Sequence, residues 1–365
     1  MKKREANFEL LRIIAMLMII TMHYLDKGGI LPVPETPQYG ATGYLAWGLE
    51  AFCVCAVNVY VLISAYFLAE SGYRPMKVVT LWLQVVFYCV GIAAVLVMAG
   101  VLPLPRLNVY QLMNYLFPVI EEHYWFVTAY ILMALLAPLM NDTLRALPRK
   151  TYGQGICMLL LLLSVSKSIL PVELPTDRLG YDAIWFLCLY MIGAYIRYHG
   201  AETAGGGQRF AGILFMKKPQ PALAGYLLCS LAIFLSLCVV RAFYIRTGSL
   251  VRYINRQYHY NSMLCLLAAV FLFLAFRAVR IPEGKASAVI CRIASASFGV
   301  YLIHEHMELR YRWPQWLGAG KSAHTPLFVL HWIISIVIVY AVCMMIDFGR
   351  QYLFEKIGKR TTSCL

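Results

Sequence analysis

Apolar residues run along the chain in stretches of about 17–26 positions, broken by short polar connections rich in Pro, Gly, Lys and Arg. The runs fall at about 8–25, 44–69, 78–99, 124–141, 154–170, 182–198, 221–243, 260–279, 288–306 and 325–348. A bilayer core takes about 20 helical residues, and only a helix satisfies its own backbone at that length in lipid. The pattern predicts an all-α, polytopic transmembrane helical bundle of about ten spans in a single membrane-embedded domain, residues 1–365. Pro32, Pro34 and Pro37, Pro103 and Pro105, Pro171 and Pro175, Gly205–Gly207, Pro219 and Pro282 mark the connections. Residues 106–120 are apolar but too short to cross, and predict an interfacial or re-entrant helix. The first run follows Lys2, Lys3 and Arg4 but is too long for a signal-peptide core, and it carries Glu9 and Arg12, so it is expected to stay as the first span.

Composition sharpens this picture. Charged residues are only 14% of the 365 positions and mean hydropathy is +0.67, where a soluble domain needs about a quarter charged. The net charge of +14 lies in short clusters between apolar runs. That distribution suits cytoplasmic loops, which retain Lys and Arg, and argues against a nucleic-acid surface. With the N-terminus placed in the cytoplasm, inner segments hold 20 Lys and Arg and outer loops 11. Both termini are therefore expected to be cytoplasmic. One outer loop, 241–259, departs from the bias with Arg241, Arg246, Arg252 and Arg256 among Phe243, Tyr244, Tyr253 and Tyr258. It reads either as interfacial anchoring or as a basic, aromatic mouth for a sugar or anionic acceptor. The 11 Cys form no C-x-x-C pair, and most sit singly within apolar runs as small hydrophobes.

Ionisable residues inside spans are costly and mark function. Arg12 and His23 lie 11 residues apart in the first run, which places them within about 20° on a helix and ~16 Å apart along its axis. Glu9, one turn before Arg12, can pair with it. In the ninth run Ser297, Tyr301 and His304 are spaced four and three apart and form one polar stripe, with Ser295 and Glu305 beside it. His304 and His306 diverge on a helix, so no metal site is expected from them. Asn58 and Ser64 add polar atoms to the second run. Glu121, Glu122, His123, Tyr124 and Trp125 stand at the entrance of the fourth, and Tyr260, Asn261 and Ser262 open the eighth. No phosphate loop, H-E-x-x-H helix or G-x-S-x-G elbow occurs.

These residues together resemble the acyltransferase-3 family of bacterial integral-membrane acyltransferases. Arg12-x10-His23 matches its first-span pattern. Val57-Asn58-Val59-Tyr60-Val61-Leu62-Ile63-Ser64-Ala65-Tyr66-Phe67 resembles its span-two ending, with Ala65 where the family has Gly. Tyr124-Trp125-Phe126 through Pro138-Leu139-Met140-Asn141, Tyr260-Asn261-Ser262, and the run from Phe298 to His304 are similar to its later signatures. The basic pair after span two is reduced to Arg74 and Lys77, and Lys lacks the bidentate fork of Arg.

The resemblance implies an acyl-CoA donor, usually acetyl-CoA, approaching from the cytoplasm. It also implies a hydroxyl acceptor on a cell-surface or exported carbohydrate at the outer face of the bacterial cell membrane. On this reading Arg12 orients the donor, Glu9 fixes Arg12, and His23 is either the general base on the acceptor or an acyl-accepting nucleophile. Arg74, Lys77 and Arg145 are placed to receive the nucleotide phosphates. Asn58, Ser64, Trp125, Tyr260, Asn261, Ser262, Ser297, Tyr301 and His304 are expected along the path or on the acceptor side. The rival reading is a transporter or flippase that uses the same buried charges as a translocation path.

Overall fold

The structure, a computed structural model, describes residues 4–36, 38–102, 109–119, 123–170, 178–200 and 218–363. Among them there are helices and turns but no strand. Among the described residues, nine helical segments are long and apolar enough to cross a membrane. The sixth run, which is not one of the nine, forms a helix at Ala183–His199, whose 17 residues span about 25 Å, at the short end of what a core requires.

The elements are α1 (Ala6–Lys27), α2 (Ala41–Cys53), α3 (Ala56–Leu68), α4 (Pro75–Met98), α5 (Val109–Leu116), α6 (Trp125–Ala146), α7 (Arg149–Leu160), α8 (Ser166–Ile169) and α9 (Ala183–His199). They continue with α10 (Pro219–Thr247), α11 (Met263–Ala278), α12 (Lys285–Ala294), α13 (Ser297–His304), α14 (Arg312–Trp316), α15 (Ala319–Ser322) and α16 (Phe328–Ser363). Three predicted spans are broken rather than continuous. The second divides into α2 and α3 at Val54–Cys55, and the fifth passes through a π turn at Leu161–Val165. The ninth divides at Ser295–Ala296, where the Ser295 hydroxyl donates back to the Arg292 carbonyl at 2.7 Å and competes with the helical ladder. The apolar stretch before the fourth span yields the eight-residue α5, too short to cross.

Local chemistry sets several ends. Pro75 opens α4, the Asp182 carboxylate accepts from the Trp185 amide at 2.9 Å to cap α9, and Ser262 caps α11 through the Cys265 amide at 3.2 Å. Gly248, at φ 69°, closes α10.

Burial sorts the spans into two shells. The most apolar windows of α1 and of α2–α3 are 67% and 72% buried, whereas those of α4, α10 and α16 are 28%, 22% and 28% buried. Leu228, Val239, Val337 and Met345 project outward from the outer shell. A water-facing shell with such residues would be untenable, so this surface faces lipid. α1 is the hub, touching α2, α3, α11, α12, α13 and α16. Arg4 reaches the Cys291 carbonyl at 3.5 Å and Gln351 reaches that of Ser295 at 3.4 Å. The start of α1 and the Gln351 turn of α16 therefore meet the end of α12 at one end of the bundle.

Candidate active site

A glutamate and a guanidinium open the site at the first turns of α1. Arg12 Nη1 donates to Glu9 Oε1 at 2.8 Å, and Arg4 lies 3.9 Å from the other carboxylate oxygen. The Tyr60 hydroxyl donates to the Arg12 carbonyl at 2.6 Å. It reaches that oxygen from α3, because Phe8 packs among Tyr66, Phe67 and Phe273 and draws the two helices together.

Beyond Tyr60 lies an open cavity, whose empty space with the solvent at its mouth included is about 550 Å³. Its α1 wall is Met16, Ile19, Met22 and His23, the stripe that continues from Arg12 in steps of three and four. Tyr60, Trp125, Tyr260, Tyr301 and Glu305 bring polar atoms to the rest of the lining, with Phe126 and Phe298 between them. The edge of α1 that carries Arg12 and His23 is thus turned inward onto open space, away from lipid. The Arg12 guanidinium itself does not line the cavity; it is the Arg12 backbone carbonyl that meets the cavity wall, through the Tyr60 hydroxyl.

At the far end, α13 and the residue after it meet α1. His23 Nδ1 is 3.0 Å from His304 Nε2 and 3.1 Å from Glu305 Oε2. His304 Nδ1 is 2.6 Å from the Val300 carbonyl, which can only accept, so this nitrogen carries the proton. His304 Nε2 is then a lone pair, and His23 Nδ1 must be the donor to it or to Glu305. That tautomer leaves the His23 Nε2 lone pair as the imidazole's remaining acceptor, on a side chain that lines the cavity. Glu305 also pairs with Lys27, and Arg310 approaches its other oxygen at 3.6 Å. The Trp313 indole holds the His304 carbonyl at 3.1 Å.

One donor atom each from His23, His304 and Glu305 lie within 4.8 Å of one another. The pair His304–His306 weighed from the sequence does not form: His306 Nε2 turns to the Cys89 carbonyl at 3.2 Å. The His23–His304–Glu305 cluster has the size of a cation site, but its only carboxylate is already flanked by Lys27 and Arg310, and its two imidazoles face each other at hydrogen-bond distance. That arrangement suits a proton-holding relay.

The remaining predicted residues separate into two groups. Trp125, Tyr260 and Tyr301 line the cavity together with His23. Asn58, Ser262 and Ser297 do not. Asn58, fully buried, donates to the Tyr260 carbonyl at 2.8 Å and accepts from the Trp185 indole at 3.0 Å. Ser262 caps α11 and donates to the Gln257 carbonyl, and Ser297 faces the Tyr340 hydroxyl at 3.2 Å. Asn261 is buried beside Tyr260, and Ser64 is half-buried on α3 outside the cavity wall. The predicted stripe of Ser297, Tyr301 and His304 therefore serves three different neighbours.

Arg74 and Lys77 are exposed at the start of α4. Arg145 donates to the Ala69 carbonyl at 3.3 Å, at the same end of the bundle. These cations share an end with Arg12 and do not reach the cavity. Glu121 and Glu122 lie outside the described residues. The loop 241–259 is less open than a basic mouth would be. Arg241 is buried over the Tyr39 ring and bonds the Tyr44 hydroxyl and Thr36 carbonyl, and Arg256 is buried on the carbonyls of Lys167 and Leu170. Two of its four arginines therefore brace the fold.

Lys27, Glu305 and Arg310 are the site members to which the sequence reading gave no role. Glu305 stood beside the ninth-span stripe, but the cue that mattered, an imidazole 282 residues away, exists only after packing.

A family model for an acyltransferase domain, that of the acyltransferase-3 family, matches residues 5–348. No curated protein and no solved structure matches the chain. The matched stretch runs through every helix that contributes to the cavity, and the chain accordingly belongs to the acyltransferase-3 family and is a membrane acyltransferase.

Proposed function

We propose that the protein moves an acyl group, acetyl in the simplest case, from a cytoplasmic acyl-CoA to a hydroxyl of a cell-surface or exported carbohydrate, with His23 as general base. The observation that carries this reading is the oriented imidazole: His23 Nδ1 is held by His304 and Glu305 while the ring borders a cavity that follows α1 back toward Arg12. The Arg12-to-His23 distance of ~16 Å along the helix axis matches the reach of an extended pantetheine arm. The basic end with Arg12, Arg74, Lys77 and Arg145 would face the cytoplasm and the nucleotide. The excess of positive charge in the segments at that end supports this orientation.

In the proposed reaction His23 Nε2 takes the proton from the acceptor hydroxyl as its oxygen attacks the thioester carbon. Collapse of the tetrahedral adduct breaks the C–S bond, and the CoA sulfur leaves with the proton held on His23. Glu305 stabilises the imidazolium that forms between the two steps. Membership of an acyltransferase family argues against reading the same buried charges as a transport path.

The test is acyl transfer from radiolabelled acetyl-CoA in membranes containing the wild-type protein or His23→Ala. Loss of at least a hundredfold is expected, as for removal of a general base. Wild-type rates in the variant would end the proposal.

A further inference from the structure

Three rings gather where the cavity meets the ends of α6, α9 and α11. Tyr181 lies with its ring centroid 4.5 Å from both Trp125 and Tyr260, and those two are stacked at 5.7 Å with 21° between their planes. Trp125 and Tyr260 line the cavity, and Tyr181 remains 39% exposed beside them. The chain takes an unusual route to achieve this. Leu179 and Gly180 both adopt left-handed backbone angles, φ 60° and 89°. A Cβ on Gly180 would lie 2.8 Å from Tyr260 Cβ and from the Asn261 amide nitrogen. A non-glycine residue in that region is strained, and such strain gathers where geometry serves a ligand. The Asp182 cap then starts α9 at once and fixes the turn.

Burial alone does not account for the arrangement, since Tyr181 keeps a large exposed surface that a simple core aromatic would hide. The cluster also has polar atoms. Tyr181 and Tyr260, whose rings lie 4.5 Å apart, each bring a phenolic hydroxyl to it. Flat rings with hydroxyl groups at their edge complement a molecule with an apolar face and a hydroxylated rim. A pyranose has that form; an acyclic polyol does not present a fixed C–H face.

We propose that Tyr181, Trp125 and Tyr260 form a stacking subsite for a pyranose ring, which makes the acceptor a cyclic sugar held on the His23 side of the cavity. This rests on the carbohydrate-acceptor reading above and narrows it.

Intrinsic fluorescence of the purified full-length protein, titrated with methyl glucoside, methyl galactoside and methyl N-acetylglucosaminide, with ribitol as the acyclic control, tests it without requiring turnover. A saturable change is expected with at least one pyranoside and none with ribitol. Tyr181→Ala should weaken it about fivefold to tenfold, as should Tyr181→Leu, which keeps apolar bulk, while Tyr181→Phe stays near wild type. Equal response to ribitol, an unchanged titration in both Tyr181→Ala and Tyr181→Leu, or no saturable response to any pyranoside would overturn the subsite. Sugar binding with no acyl transfer would instead overturn the proposed function and leave the subsite standing; acyl transfer to a furanoside with no pyranoside binding would overturn the subsite and leave the proposed function standing.

Discussion

Replacing Glu305 by Gln separates the two groups that hold His23. In the wild type His23 Nδ1 has two acceptors at nearly equal distance, the neutral His304 Nε2 at 3.0 Å and Glu305 Oε2 at 3.1 Å. Only the carboxylate can offset the charge that appears when His23 takes a proton. A hydrogen bond to a charged group contributes about 1.5–3 kcal/mol and a neutral one about 0.5–1.5. If those differences appear in the barrier, Glu305→Gln lowers kcat about 10–150-fold and His304→Phe about 2–12-fold. The Glu305 variant should sit at the upper end, because Lys27 and Arg310 then stand beside a neutral amide and oppose the imidazolium.

Stability is a separate readout. The Lys27 side chain is only 8% exposed, so the Gln variant leaves a buried ammonium without its carboxylate, at a cost of about 3–5 kcal/mol. Adding Lys27→Met should restore much of the lost thermal stability but not the lost rate. The assay is initial-rate transfer from labelled acetyl-CoA, with thermal unfolding of each purified variant measured in parallel. A Glu305→Gln protein as fast as wild type, or His304→Phe slower than Glu305→Gln at equal stability, would refute the assignment of the carboxylate as the charge partner.

Two further outcomes follow from the frame around the site. Asn58→Leu removes the partners of the Tyr260 carbonyl and the Trp185 indole, and two buried groups left unpaired at about 1–3 kcal/mol each should lower the melting temperature by several degrees, while donor-dependent activity at low temperature is retained; loss of activity with unchanged stability would contradict the structural role. Gly299→Ala would place a Cβ 2.2 Å from Asp347 Oδ1, on a fully buried carboxylate held by Tyr88 at 2.6 Å, Arg350 at 2.8 Å and Gln351 at 2.7 Å. A sharp loss of folded protein on size-exclusion chromatography is expected, and a normal yield would show that α13 and α16 can part at little cost.

The amino-acid pattern by itself determined the helical, membrane-spanning class, the approximate span limits, the pairing of Glu9 with Arg12 and the shared face of Arg12 and His23. All of these follow from composition or from residues within one helix, where a rise of 1.5 Å and 100° per residue converts spacing directly into geometry. The tertiary structure decided which polar residues share a site. Asn58, Ser262 and Ser297 look like site residues in the sequence, yet their atoms are used by an indole and a carbonyl, a helix end and a tyrosine on α16. Arg241 and Arg256 look like an open basic mouth and instead hold loops together. Conversely, Glu305 and Lys27 acquire their place only because α13 docks against α1 across 278 residues of chain. A polar atom inside a membrane protein must find a partner, and whether that partner is a backbone carbonyl or a reacting group depends on which helices pack together, which periodicity within one helix does not encode.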